Sequence, residues 1–199
     1  MRNALLITLV TLLLAPTQLL AQESPDAPLE ILKTNTEKIR ELVRQSKTEE
    51  EMQANVKDLM DTFVNFDEFG ELSLGKQWKT LTEEQRKIYL AQFKALLQRT
   101  YLRRFKPGKE FKVNYRSGTR FNKEKDRGEI QTTIISGDVE ADVDYRFHSD
   151  GGWRAYDMVV DQVSIMRNYR KSFLKILAKD GFDALIAKMQ SKDSETIEE

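Results

Sequence analysis

No cysteine occurs anywhere in the 199 residues, so no disulfide braces the chain and its hydrophobic core alone must hold the fold. A single histidine, His148, and no thiol leave a zinc site without its customary donors. Charge of neither sign is in excess. Lys+Arg and Asp+Glu are both 32, for a net charge of zero, so no global field argues for nucleic acid as a partner. A mean hydropathy of -0.57 with 32% charged residues excludes a polytopic membrane protein. Phosphate loops, nucleophile elbows and metal-ligand spacings are missing as well.

The few groups that might carry chemistry have plainer explanations. His148 stands beside the turn Ser149-Asp150-Gly151-Gly152, where a lone histidine reads as a solvated surface residue; a catalytic base also needs an orienting partner and a pocket. Asp157 and Asp161 are four apart around a strand end, a place where aspartate serves local hydrogen bonding. The sequence does not read as an enzyme, and it implies no cofactor.

What is present begins with an export signal. Arg2 precedes an apolar run from Ala4 to Leu14, and Leu19-Leu20-Ala21 leads into the polar Gln22-Glu23-Ser24. The run is shorter than the ~20 apolar residues of a spanning helix, and Pro16 interrupts it. The pattern is a cleavable secretory signal over residues 1–21. Gln22 stands where a lipidated cysteine would, so the expected product is free in an exported compartment rather than lipid-anchored. Residues 22–190 form one domain, and 191–199 a polar tail.

Within that domain, Glu23 to Pro28 reads as a tether. Leu29, Leu32, Ile39 and Val43 mark a first helix. Thr48 with Glu51, and Thr82 with Gln85, have the spacing of capping boxes and open two more helices. Between them "FVNFDEFGELSLGKQW" reads as one or two short helices with a bend. The strongest stripe is Tyr89, Phe93, Leu96, Leu97, Tyr101 and Phe105, at steps of three or four; Lys106-Pro107-Gly108 ends it. From Glu110 the period becomes two. Strands are predicted around Phe111–Tyr115, Ile130–Ile134, Val139–Phe147 and Trp153–Val160, joined in part by the turns Ser136-Gly137-Asp138 and Ser149–Gly152. Helix resumes near Arg167 and runs to Met189, with a break at Gly181. Helices, then an antiparallel meander, then helices is the α+β pattern.

The fourth strand poses a problem. Trp153, Ala155 and Val159 have one parity, and Tyr156, Met158 and Val160 the other. A strand with one wet face alternates, so this one is expected to be covered on both faces.

Two blocks say more than periodicity. "FDEFGELSLGKQWKTLTEEQRKIYLAQFKALLQRTY", Phe66 to Tyr101, resembles a pattern of Asp-Phe, Leu-Gly, Trp, Thr-x-x-Gln-Arg, an aromatic-rich helix and a closing Tyr. "WRAYDMVVDQVSIMRNYRKSF", Trp153 to Phe173, resembles a Trp-x-x-x-Asp strand followed by Val-Ser and Asn-Tyr-Arg-x-x-Phe. Both are characteristic of the MlaC, or toluene-tolerance, family of soluble periplasmic phospholipid shuttles in Gram-negative bacteria. The resemblance covers essentially the whole chain after the signal. It departs at Gln162, where family members often have glycine.

The resemblance implies a curved antiparallel sheet of about four strands, like the nuclear-transport-factor cone, with helices packed over it and an apolar cavity between. It implies phospholipid as cargo. Two membrane partners follow: an inner-membrane ABC transporter carrying a hexameric lipid-binding ring, and an outer-membrane lipoprotein–porin complex. Exposing the ~30 methylenes of a diacyl lipid, at roughly 0.8 kcal/mol each, costs on the order of 20 kcal/mol, so a carrier needs apolar surface beyond its own core. The residues expected to line the cavity are Phe69, Leu74, Trp78, Phe93, Leu97 and Tyr101 from the helices, Val143, Tyr145, Met158 and Val160 from the strands, and Val163, Ile165, Tyr169 and Phe173 beyond them. Arg146, Arg167 and Arg170 are expected at the docking surface, where arginine pairs with partner carboxylates or lipid phosphate; internal acids are the alternative partners. A solid-core scaffold of the same fold is the rival reading.

Overall fold

The computed structural model describes residues 26–191; the signal-peptide boundary and the tail after Ser191 lie outside them. Of the segment read as a tether, Ala27 and Pro28 are already helical. Helix α1, Ala27–Gln45, begins with Pro28 in its first turn, where a missing N–H costs no helical bond. Helix α2 is Glu49–Phe63, capped by Thr48, whose side chain accepts from the Glu51 N–H. The box is not reciprocal there: the Glu51 carboxylate accepts from the Lys47 N–H at 3.0 Å. Helix α3, Phe66–Leu74, runs into a 3₁₀ turn, Gly75–Thr80. Helix α4, Glu83–Leu102, has the complete Thr82–Gln85 box. It stops before Phe105, which leaves the stripe and packs edge-on against Phe111 at 6.1 Å.

Six strands follow, all antiparallel: β1 Lys112–Tyr115, β2 Arg120–Phe121, β3 Arg127–Ser136, β4 Val139–Ser149, β5 Trp153–Val160 and β6 Val163–Ser164. The four strands predicted from alternation are β1, β3, β4 and β5; the two-residue β2 and β6 are too short to show a period. The order is β1-β3-β4-β5-β6, with β2 also on β3, so the sheet is open. Helix α5, Ile165–Gln190, then closes the chain, and Gly181 (φ 85°) breaks it as the sequence suggests.

The bulge in β4–β5 resolves the two-sided strand. Tyr145 pairs with Met158 and Val143 with Val160, whereas Phe147 pairs with Ala155 and Ser149 with Trp153. Directly opposed residues share a face, and Val143, Tyr145, Phe147 and Ser149 alternate along β4. One extra residue in β5 therefore swings its phase. Trp153, Ala155, Met158 and Val160 all project from one face. The opposite face carries Asp157 and Val159, both buried, so the strand is covered on both faces there, although its parity misplaces Met158 and Val160.

The turn into β6 has its own constraint. Asp161 and Gln162 close a two-residue hairpin between Val160 and Val163, and both have positive φ, 46° and 70°. A tight turn of this type needs that backbone at both positions. The glycine that the resemblance leads one to expect at 162 would meet it without strain, and Gln162 adopts it nonetheless.

On the far edge of β5, β6 covers one end. At the other, Val64 makes a parallel bridge to Ala155, and the Asn65 N–H donates to the Ala155 carbonyl at 2.8 Å. Asn65 also caps α3, its side chain accepting from the Glu68 N–H. The link between α2 and α3 thus ties the helical layer to the sheet.

Candidate functional site

Helices α3, α4 and α5 enclose an apolar cluster against β5. Leu74, Phe93 and Phe173 are completely buried in it, with Phe69, Leu97, Ile165 and Tyr169 nearly so. Trp78, Tyr101, Met158 and Val160 pack on its rim, half-buried. Eleven of the fourteen residues expected to line the cavity therefore meet in one place. Val143 is also buried, opposite Val160 on the same sheet face. Tyr145 instead joins a second cluster, with Leu29 and Leu32 of α1, Ile130, Phe147 and Trp153. Val163 is 54% exposed, because β6 is a two-residue edge strand with nothing packed over that side chain.

Phe93 is the hub. Its ring lies 5.4 Å from Phe69, 5.8 Å from Tyr89 and from Tyr169, and 6.1 Å from Phe173. Edge-on pairs of this kind add about 0.5–1.5 kcal/mol each to simple burial. α3 can approach α4 this closely because Gly70 has no Cβ: one would stand 2.7 Å from Leu90 Cδ2. Sequence reasoning placed Tyr89 and Leu96 in the α4 stripe without assigning them here. It missed Leu185 and Met189, both buried in the cluster; the spacing that would have found them resumes only after the Gly181 break.

A polar pair lies inside the cluster. Tyr89 Oη and Ser73 Oγ are 2.5 Å apart, and Ser73 donates to the Gly70 carbonyl at 2.6 Å. Burial pushes the Tyr89 phenol far above its ordinary pKa, so it stays neutral. Nothing charged is offered to a ligand in this space. Its chemistry is that of a hydrocarbon.

The opposite face of β5 is ionic. The Asp157 side chain is fully buried. Its carboxylate accepts from Arg146 Nη1 at 3.0 Å, from Ser164 Oγ at 2.7 Å and from the Met166 N–H at 3.0 Å. Ser164 in turn caps α5 by accepting from the Arg167 N–H. Arg146 also reaches Glu129 at 3.1 Å, and Arg120 pairs with the same carboxylate. Partial burial alone would raise the Glu129 pKa, but the hydrogen bonds from the two arginines hold it below the usual carboxylate value.

The three arginines expected at a docking surface are differently placed. Arg146 is spent on Glu129 and Asp157. Arg170 donates from Nε to the Leu72 carbonyl at 2.9 Å and from Nη2 to the same oxygen, which pins α5 to α3. Arg167 is exposed. His148 is not a solvated turn residue: it sits at the end of β4, 20% exposed, with Nδ1 2.8 Å from a Glu68 carboxylate oxygen. That carboxylate also pairs with Arg127 at 3.1 Å. Among the described residues no group of three or more His, Asp or Glu side chains could hold a metal ion, and no helix is long and apolar enough to cross a membrane.

An apolar cluster packed between helices and an open sheet invites comparison with known proteins. The fold is similar to that of the phospholipid-binding protein from Ralstonia solanacearum, solved in complex with a phospholipid. The TM-score is 0.74 at 19% identity, covering 83% of this chain and 96% of the other. In sequence, the chain is 26% identical over 205 residues to the intermembrane phospholipid transport system binding protein MlaC of Haemophilus influenzae, covering 98% of this chain and 90% of the relative. The family model described as MlaC protein matches residues 32–191. With both motif blocks inside that match, the chain belongs to the MlaC family.

Proposed function

We propose that this protein is a periplasmic phospholipid carrier that moves lipid between the inner and outer membranes and hydrolyses nothing. The observation that carries the reading is the cluster around Phe93, which is large, uncharged and packed between helices α3–α5 and the sheet. Its innermost side chains are fully buried, so acyl chains enter by parting α3–α5 from the sheet and replacing ring contacts with methylene contacts. Apolar contact has no preferred direction, which makes that exchange inexpensive. Phe93, Tyr169, Phe173, Met158 and Val160 would then meet the tails. The Haemophilus relative, named for intermembrane phospholipid transport, supports this direction. An ABC transporter with a hexameric ring and an outer-membrane lipoprotein–porin complex are the partners the role requires. Arg167 is the one of the three candidate arginines whose side chain is exposed to meet a partner.

The dense packing of the same cluster is also what a solid-core scaffold would show. Organic extraction and phosphorus assay of the purified protein separates the two. A carrier holds roughly stoichiometric phospholipid; protein free of lipid that also takes none up from vesicles is a scaffold.

A further inference from the structure

From Gln162 to Lys179 there is no acidic residue, while Arg167, Arg170, Lys171, Lys175 and Lys179 contribute five positive charges. In a chain of net charge zero this is a local field of one sign. Arg170 is consumed by the Leu72 carbonyl. The other four are exposed, and none forms an ion pair with another described residue. They stand at steps of four on α5, so each lies one turn beyond the last along the flank away from Tyr169 and Phe173. The row is about 18 Å long at 1.5 Å per residue. Val163, two residues ahead of the helix, is 54% exposed. The chain's other basic run, Arg103 to Lys112, is not comparable: Glu110 interrupts it and Lys106 is paired with Glu49 at 2.7 Å.

We propose that the exposed flank of α5 is a docking surface for the anionic headgroups of a lipid bilayer, holding the protein against the membrane in a loading or unloading posture. The side chains favour a bilayer over an acidic protein. Three of the four are lysines, compact point charges on flexible stems, and lysine is depleted in protein–protein interfaces, where arginine and aromatic anchors prevail. A row of exposed lysines with no pocket between them matches a laterally fluid layer of phosphates, each residue adding about fivefold to partitioning near such a surface. The helix that presents the row also contributes Ile165, Tyr169 and Phe173 to the apolar cluster, so attachment would bring the chamber wall close to the lipid it exchanges. This role rests on the carrier reading, but binding does not.

The test is co-sedimentation of protein from the soluble fraction with vesicles of phosphatidylcholine alone and of phosphatidylcholine with about 30% phosphatidylglycerol. The expected result is binding to the anionic vesicles only, weakening as salt screens the charges. Replacing Arg167, Lys171, Lys175 and Lys179 together by Gln should reduce that binding more than a hundredfold. The charge-preserving K171R/K175R/K179R variant should restore it, and phosphorus content and melting temperature should be unchanged in both. Equal binding by the Gln variant, or no preference of the wild type for anionic vesicles, overturns the proposal; the second outcome would turn the stripe towards an acidic protein. Protein that contains no phospholipid yet still binds anionic vesicles would remove the carrier reading and leave this surface standing.

Discussion

Met158 and Asp157 are neighbours in sequence and project from opposite faces of β5. The first touches rings and aliphatic chains that any hydrocarbon can replace; the second is held by an arginine, a serine hydroxyl and a backbone N–H, each with a fixed direction. Burial energy depends on area and not on partner, whereas charge-assisted bonds specify geometry. One strand therefore offers an exchangeable side and a permanent one. The permanent side grips the first turn of α5 through Met166 and Ser164, and the exchangeable side receives the body of that helix. A carrier needs both: a wall that can yield, and a root that returns it to the same place.

The contrast is tested most strongly at Phe93. Phe93→Ala should cost about 4 kcal/mol in delipidated protein, read from urea unfolding. The cost should shrink by about half in lipid-loaded protein, where acyl methylenes occupy the deleted ring's space. Equal losses in both states would mean that the cluster is not the exchangeable side. Asp157→Ala should cost about 3 kcal/mol, because it removes the buried one of Arg146's two carboxylate partners and frees the start of α5. Here loaded and stripped protein should lose the same amount, and a loss below about 1 kcal/mol would show that the root lies elsewhere. Val160→Trp overfills the sheet side of the cluster. About 2 kcal/mol of stability should be lost, while co-purifying phospholipid drops severalfold; full lipid content would place the tails away from Val160. The smallest effect concerns the turn. Gln162→Gly should stabilise by roughly 0.5–1 kcal/mol, since the left-handed backbone costs a side chain roughly 1–2 kcal/mol and glycine returns part of that as chain entropy. No gain in the urea midpoint would mean that Gln162 is strain-free.

Much of this architecture was legible before any coordinates. The Thr82–Gln85 box, the Tyr89–Tyr101 stripe, the strand alternation and the Gly181 break are all local patterns, each set by residues within a few positions of one another. The cluster was legible as a set of residues, because nearly every large apolar side chain on α3, α4 and the start of α5 goes to it. What stayed hidden depends on pairing. Nothing in "WRAYDMVV" says that Phe147 will face Ala155 while Tyr145 faces Met158, so Met158 and Val160 were counted opposite Trp153 and Ala155 when the four share one face and Val159 takes the other. Glu68 and His148 are 80 positions apart, and Arg146 reads as a polar-face arginine until Asp157 is seen beneath it. Val163 carried the right chemistry for the chamber, but a two-residue edge strand leaves it in water.

The bridge between Val64 and Ala155 couples any opening of the helical layer to the edge of the sheet. It occupies hydrogen-bonding groups on the outer edge of β5, and the Asn65 that supplies the N–H also caps α3. If α3 lifts far enough to break that bond, the Ala155 carbonyl is left as a vacant pairing position beside the apolar Trp153. A second chain in the same condition could add itself there as a strand. On the carrier reading, loading would strain the same short link that keeps this edge paired, so reclosure and protection from self-association would depend on the same few residues.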